Sequence, residues 1–329
     1  MRQSWVGGIV THGNPGGTGA NTLFGVDARF ATSTFRGDKN LSLDLYALGT
    51  NDELLAATDY AFGFKLDYPN ERWDVGVTAL QIGEDFRARL GFVPRVGIRK
   101  YRPFASFRPR APQIGIRRFN FEVFPEIVTD LEGRVVDWEV FTAPLNLRTE
   151  SQEHIEWNYI PVFQKLDVPF EIRPGIVIPP GDYRWTRYRF EVNTADKRPW
   201  VADFAWWWGS FYEGTLEQLE LGFTWKPSPN LNLEIETERN WVELPQGDFV
   251  ATIYELRADY SFSPDMSWAN LVQYDSDSDI LGFQSRFRWI LTPGRDLFVV
   301  YNRGWQDFEN RAFTAFERGS VKFQYTFRM

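Results

Sequence analysis

Three carboxylates, Glu234, Glu236 and Glu238, stand two residues apart in one extended-looking run. Alternate residues of a strand share a face, with neighbours roughly 6.5–7 Å apart. Hydrolysis of a glycosidic bond asks for two carboxyls about 5 to 9.5 Å apart, so acid–base chemistry on a sugar is within reach of this spacing. The same pattern suits the wetted wall of a wide barrel, where lumen-facing positions are polar, and that is the preferred reading. Arg187, Arg189, Glu191 and Asn193 form a second alternating polar set; Asp203 follows in the next run, and Arg257, Arg286 and Arg288 come later. A wall with rows of both signs sets up a transverse field that biases which solutes pass. Mutual neutralisation, with no selectivity, is the open alternative.

Other chemistry is thinly supplied. The two histidines, His12 and His154, are far apart in sequence, and a Ser-His-Asp site needs one of them set between a Ser and a carboxylate. No catalytic residue is assigned, and the chain is expected not to be an enzyme. Asp275, Asp277 and Asp279 fall at i, i+2 and i+4, a spacing of hard oxygen ligands that could hold Ca²⁺. The run lacks the glycine and the closing glutamate of an EF-hand loop, so a plain hairpin tip is preferred and no metal or cofactor is expected. Gly13–Gly19 is glycine-rich but lacks the lysine and following helix of a phosphate loop. Without Cys there is no disulfide and no thiolate ligand. A net charge of −8 argues against nucleic acid as partner.

The elements that position these residues read as strands. Aromatics make up 17% of the chain, a load that membrane barrels use in interfacial girdles. No uninterrupted apolar stretch reaches the roughly 20 residues of a membrane helix. Long alternating runs recur instead, about 18 of them (16–18), from Gln3–His12 through Ala57–Tyr68 and Asp248–Phe262 to Arg318–Arg328. The last nine residues alternate to the end, with Val321, Phe323, Tyr325, Phe327 and Met329 apolar. Tight turns such as Tyr68–Glu71, Ser263–Asp265 and Thr292–Arg295 are built on Pro with Asn, Asp or Gly. They alternate with loops that are generally longer: Gly13–Ala20, Glu84–Arg95, Gln164–Asp182, Glu243–Gly247 and Gln306–Glu317. Short turns on one rim and longer loops on the other are the asymmetry of an outer-membrane barrel. The expected fold is therefore all-β, a single antiparallel transmembrane β-barrel over residues 1–329, with both termini on the short-turn, periplasmic rim.

Two features bear on whether its lumen is open. Gln164–Asp182 is apolar for a surface loop, with Val168, Phe170, Ile172, Ile176 and Ile178 among four prolines. Such a surface calls for cover: the loop is expected to narrow the lumen or to meet a partner at the rim, with simple capping of the barrel edge as the open alternative. Gly25, Gly63, Gly76 and Gly222 fall at inward positions, which would favour an open pore, whereas the large inward arginines favour a filled one.

Several stretches resemble the barrel region of a bacterial family, domain of unknown function 5916. They are SWVGGIVTHGNPGGTGANTLFGVDARF (Ser4–Phe30), YAFGFKLDYPNERWDVGVTALQIGEDF (Tyr60–Phe86), LGFVPR (Leu90–Arg95), VIPPGDYRWTRYRFEVNTADKRPW (Val177–Trp200), LELGFTWKPSPNLNLE (Leu219–Glu234) and Arg257–Trp305. The resemblance implies a Gram-negative outer-membrane barrel. It also implies a signal peptide and a preceding domain like family 9 carbohydrate-binding modules, neither of which is visible, so a mature or truncated chain is expected. It supplies no catalytic residues. Two functions follow as expectations. One is an outer-membrane pore or transport component for small hydrophilic solutes. The other is a closed barrel that anchors a sugar-binding domain or docks a partner protein at its extracellular loops. The expected surroundings in either case are outer-membrane lipid.

Overall fold

Alternating β-branched and aromatic residues, punctuated by proline turns, leave little choice but strand. The computed structural model describes residues 3–17, 19–308 and 311–327. Arg328 and Met329 of the terminal alternation, Met1 and Arg2, Thr18 of the glycine-rich loop, and Glu309 and Asn310 lie outside the described residues. The strands, in chain order, are β1 (Trp5–His12), β2 (Asn21–Phe35), β3 (Lys39–Asp52), β4 (Ala57–Pro69), β5 (Trp73–Ile82), β6 (Ile98–Phe107), β7 (Ile116–Phe119) and β8 (Phe121–Asp130). Then come β9 (Val135–Thr149), β10 (His154–Leu166), β11 (Phe170–Arg173), β12 (Ile176–Ile178), β13 (Gly181–Asn193), β14 (Trp200–Phe211) and β15 (Gly214–Ser228). The chain closes with β16 (Leu231–Glu243), β17 (Phe249–Ser263), β18 (Met266–Asp275), β19 (Ile280–Thr292), β20 (Arg295–Phe308) and β21 (Arg311–Tyr325). A single 3-10 turn at Pro112–Ile114 is the one helical element among the described residues, and no helix is long and apolar enough to cross a membrane.

The all-β antiparallel class is as expected, and each expected run is strand. Gly115–Thr129 is split into β7 and β8 at Asn120, whose N–H donates to the Asn146 carbonyl. The expected loop Gln306–Glu317 is corrected: β20 and β21 pair through it, with Gln306 opposite Phe313. No proline interrupts 311–317, and a bulge between Gly304 and Trp305 absorbs the register shift.

The contacts divide the chain into two units, Met1–Leu147 with Trp157–Arg187, and Arg148–Glu156 with Tyr188–Met329. In the first, β1 to β6 and then β8 and β9 pair in sequence, each antiparallel to the last. Register sets Asp27, Tyr46, Gly63, Leu80 and Lys100 in one row across five strands. One residue along, Val26, Ala47, Phe62, Gln81 and Arg99 form a row on the opposite face. In the second unit β14 to β21 pair in the same sequential way. One row there runs Asp203, Gly222, Glu236, Glu255, Gln273, Gly282, Gly304, Phe316. Its neighbour on the other face runs Phe223, Ile235, Leu256, Val272, Phe283.

In both units the apolar face is the exposed one. Val26 is 61% exposed, Ile235 57% and Phe323 58%, whereas Ser42, Thr50 and Asn21 are buried. A water-soluble sheet hides its apolar side. Here the large hydrophobics stand outward, which is the arrangement that lipid rewards.

Candidate functional site

The polar face of the second unit carries nearly all of the charged residues that the alternating runs single out. Asp203, Glu220, Glu236, Glu238 and Glu255 line a cavity of about 550 Å³, together with Glu191, Asn193 and Gln273. Arg189 is the single basic residue among its described lining residues. Register puts Glu220 directly opposite Glu238 and Glu236 directly opposite Glu255. Like charges directly across a ladder destabilise it by roughly 0.2–1 kcal/mol per pair. Neutralisation is partial. The Arg257 guanidinium donates to Glu255 at 2.5 Å and lies 3.6 Å from Glu234. Arg189 pairs with Glu191. Glu220 accepts hydrogen bonds from Trp207 at 3.0 Å and Gln218 at 2.7 Å, and Glu238 accepts one from Asn240 at 2.7 Å. These neutral donors hold the carboxylates without cancelling their charge.

Arg286 and Arg288 share this polar face but sit apart from the acidic patch, on β19. Arg288 donates to Asp296 at 2.9 Å, and both arginines lie over the Phe298 ring. Rows of both signs are thus present, with the acids on β14 to β17 and the two arginines on β19. Arg187 falls in the first unit by its contacts; it is two residues before Arg189 and on the same side of β13. Sequence reasoning missed Glu220 and Glu255, although each belongs to an alternating strand whose other polar residues were visible. What singles them out is register, and register depends on turn geometry.

His12 Nδ1 sits 2.8 Å from Thr22 Oγ1. His154 Nε2 is 3.3 Å from Glu156 and its Nδ1 is 3.8 Å from Glu191. Asp275, Asp277 and Asp279 are not brought together as ligands: Asp275 accepts the Asp277 N–H and the Ser278 hydroxyl, each at 2.9 Å, and so caps its own turn. Among the described residues no three His, Cys, Asp or Glu side chains converge as metal ligands would. At the opposite end of the strands Glu153, in a turn, is held by the Ser151, Arg198 and Thr149 side chains, which lower its pKa to about 2.

The first unit's polar face carries the same residue types but interleaves them. Arg29 meets Asp44 at 3.5 Å, Lys65 meets Asp67 at 2.7 Å, and Arg108 meets Asp74 at 2.7 Å. Glu126 is shared by Lys100, at 2.6 Å, and Arg102. The inward glycines are sockets here. A Cβ on Gly63 would meet the Tyr46 ring at 2.9 Å, one on Gly76 the Phe104 ring at 2.6 Å, and one on Gly25 the Leu48 side chain at 2.2 Å. Glycine at these positions therefore seats a large neighbour and opens no space, which corrects the expectation drawn from them.

Two loops of this unit behave differently. The long apolar one folds on itself: β11 pairs with β12, Val168 is 69% exposed, Phe170 and Val177 are also exposed, Ile172 and Ile176 are half-buried, and Ile178 alone is buried. Glu84–Arg95 lies down on the polar face instead. Phe86 is buried against Leu23 and Ala61, with Ala88 and Val93 packed alongside. Arg89 clamps the buried Asp52 carboxylate through Nε at 2.7 Å and Nη2 at 3.2 Å, and Asn21 adds a donor at 3.2 Å. The Arg89 hydrogen bond, above all, holds the Asp52 pKa down at about 2. The sequence signal for this loop is Phe86 followed by Arg87 and Arg89, a weaker one than the apolar run of Val168–Ile178.

No known family matches the chain, and no curated protein does. Among solved structures it is similar to the siderophore receptor PirA of Acinetobacter baumannii, at TM-score 0.46 and 10% identity over 99% of this chain and 74% of that one. It is also similar to OccAB4 of the same organism, at TM-score 0.44 and 11% identity over 98% of this chain and 95% of that one. At these scores neither likeness carries a functional argument, which rests on the side chains alone.

Proposed function

We propose that the chain is a bacterial outer-membrane β-barrel that passes small hydrophilic solutes and favours cations over anions. The observation that carries this reading is the pairing of an exposed apolar face with a polar face along β2 to β5 of the first unit and β15 to β19 of the second. Lipid on one side and water on the other is the environment in which that arrangement is stable. The cation preference rests on the acidic patch of the second unit, where facing carboxylates outnumber their guanidinium partners. Kinship with domain of unknown function 5916 is part of the same proposal.

Glu84–Arg95 is the stronger choice for a constriction, because Phe86 and Arg89 fix it to the polar face. The β11–β12 hairpin, with Phe170 and Val177 outward, suits contact with a partner protein at the rim. A second reading, a closed barrel serving as anchor, is favoured by the filled glycine sockets of the first unit. Single-channel recording of the refolded chain in a planar bilayer tests the choice. Steady conductance that rises when 84–95 is excised supports the pore; Gly83 and Gly97 are already joined by a 3.1 Å backbone hydrogen bond, so the excision closes easily. Silence from protein that shifts on heating in SDS gels would favour the anchor.

A further inference from the structure

The apolar face of the first unit is not smooth. Ala28, Ala47 and Ala79 stand where neighbouring positions carry Phe62, Phe64 and Tyr101, and the difference in size leaves a groove of about 630 Å³. Two polar residues close one end, Gln81 and Arg99, directly opposite each other on β5 and β6. Arg99 Nε donates to Gln81 Oε1 at 2.7 Å. Its terminal nitrogens have no protein partner among the described residues. An arginine on a lipid-facing surface is costly at the bilayer midplane and nearly free at the interface. Arg99 is the second residue of β6, next to the rim that carries Glu84–Arg95, so its head reaches the headgroup level while the groove runs inward from it.

We propose that this groove holds an acyl chain of a phosphorylated membrane lipid, with the lipid phosphate on Arg99. The fit is one of charge and polarity: a guanidinium with both terminal nitrogens to spare at the rim, and an apolar channel beneath it. Arginine binds phosphate through paired N–H donors, and Gln81 orients it by holding Nε. The assignment rests on the outer-membrane reading. A second copy of the chain would cover the same groove but would offer no anion there from the apolar rows facing it.

The test is native mass spectrometry of the full chain released from detergent, with bis-phosphorylated lipid A and its dephosphorylated form as probes. The wild type should retain phosphorylated lipid A. Arg99→Gln should weaken retention about tenfold, the scale of one charge-assisted hydrogen bond, and should leave the dephosphorylated form unaffected. Ala47→Phe, which fills the groove, should weaken both. Equal retention of the two lipids by the wild type, unchanged retention in both variants, or a lipid-free dimer would overturn the site. Each variant is first checked for a heat-dependent shift in SDS gels. Loss of that shift in the wild type counts against the outer-membrane reading itself, whereas a heat-shifting protein without adduct counts against the groove alone.

Discussion

The two polar faces use the same amino acids to opposite effect. In the first unit the one facing pair, Glu126 opposite Glu139, is offset by Lys100 and Arg102, which both meet Glu126, and Asp44, Asp67 and Asp74 each meet a cation. In the second, Glu220 faces Glu238 and Glu236 faces Glu255. Composition does not distinguish them. Register does, because a shift of one residue would turn each acidic row to the other side of the sheet. One face offsets its charge internally; the other leaves carboxylates facing one another.

The contrast can be broken at its premise first. Phe64→Arg, on the exposed apolar face of β4, should cost roughly 2–4 kcal/mol in a bilayer, read by urea unfolding from vesicles. Lys65→Gln, one residue along on the polar face, should cost under about 1 kcal/mol. Lys65 lies close to Asp67, and register sets Asp44 directly opposite, so its reversal to Glu would be far from mild. Equal losses for Phe64→Arg and Lys65→Gln would mean the lipid-facing side has been misassigned. Phe86→Ala should loosen the 84–95 loop by about 3 kcal/mol, the scale of a deleted buried ring, seen as faster amide exchange confined to that loop.

A sharper test sets the two faces against each other. Glu126→Gln strands Lys100 and Arg102, a loss that outweighs relief of the facing Glu139, and should destabilise by up to about 1 kcal/mol after allowance for its partial exposure. Glu236→Gln removes a like-charge opposition and should be neutral or stabilising by roughly 0.2–1 kcal/mol. The same sign for both would erase the distinction.

The smallest effect is in acid. Asp52 has a folded pKa of about 2, below its usual value of 3.8. A carboxyl depressed on folding contributes stability above its unfolded pKa and loses it as pH falls through the folded one. The 84–95 loop should therefore stay docked above pH ~4 and release toward pH ~2. The chain has no Cys, so a single label at Phe92→Cys would report the release. Docking that is indifferent to pH across that range, or lost near neutrality, would argue against Asp52–Arg89 as the clamp.

Much of this was legible in the sequence, because period-two alternation fixes both the strand and its faces. Tyr60, Phe62 and Phe64 read as one side from their spacing alone, and Glu234, Glu236 and Glu238 as the other. What sequence could not supply is the partner across the ladder. Gly63 and Gly76 read as space until Tyr46 and Phe104 are found seated on them. Apolar composition drew attention to Val168–Ile178, yet those residues pair locally, whereas Phe86 finds its pocket on strands far away in sequence. Local pattern gives the element; long-range register gives the site.

The central claim is that the acidic face of the second unit governs what passes. The most direct measurement is the reversal potential of the refolded chain in a planar bilayer under a KCl gradient, repeated with Glu236→Gln and Glu238→Gln combined. The account predicts a potential of cation-selective sign that collapses toward zero in the double variant. An anion-selective sign in the wild type, or a cation-selective potential unchanged by the double variant, would contradict it.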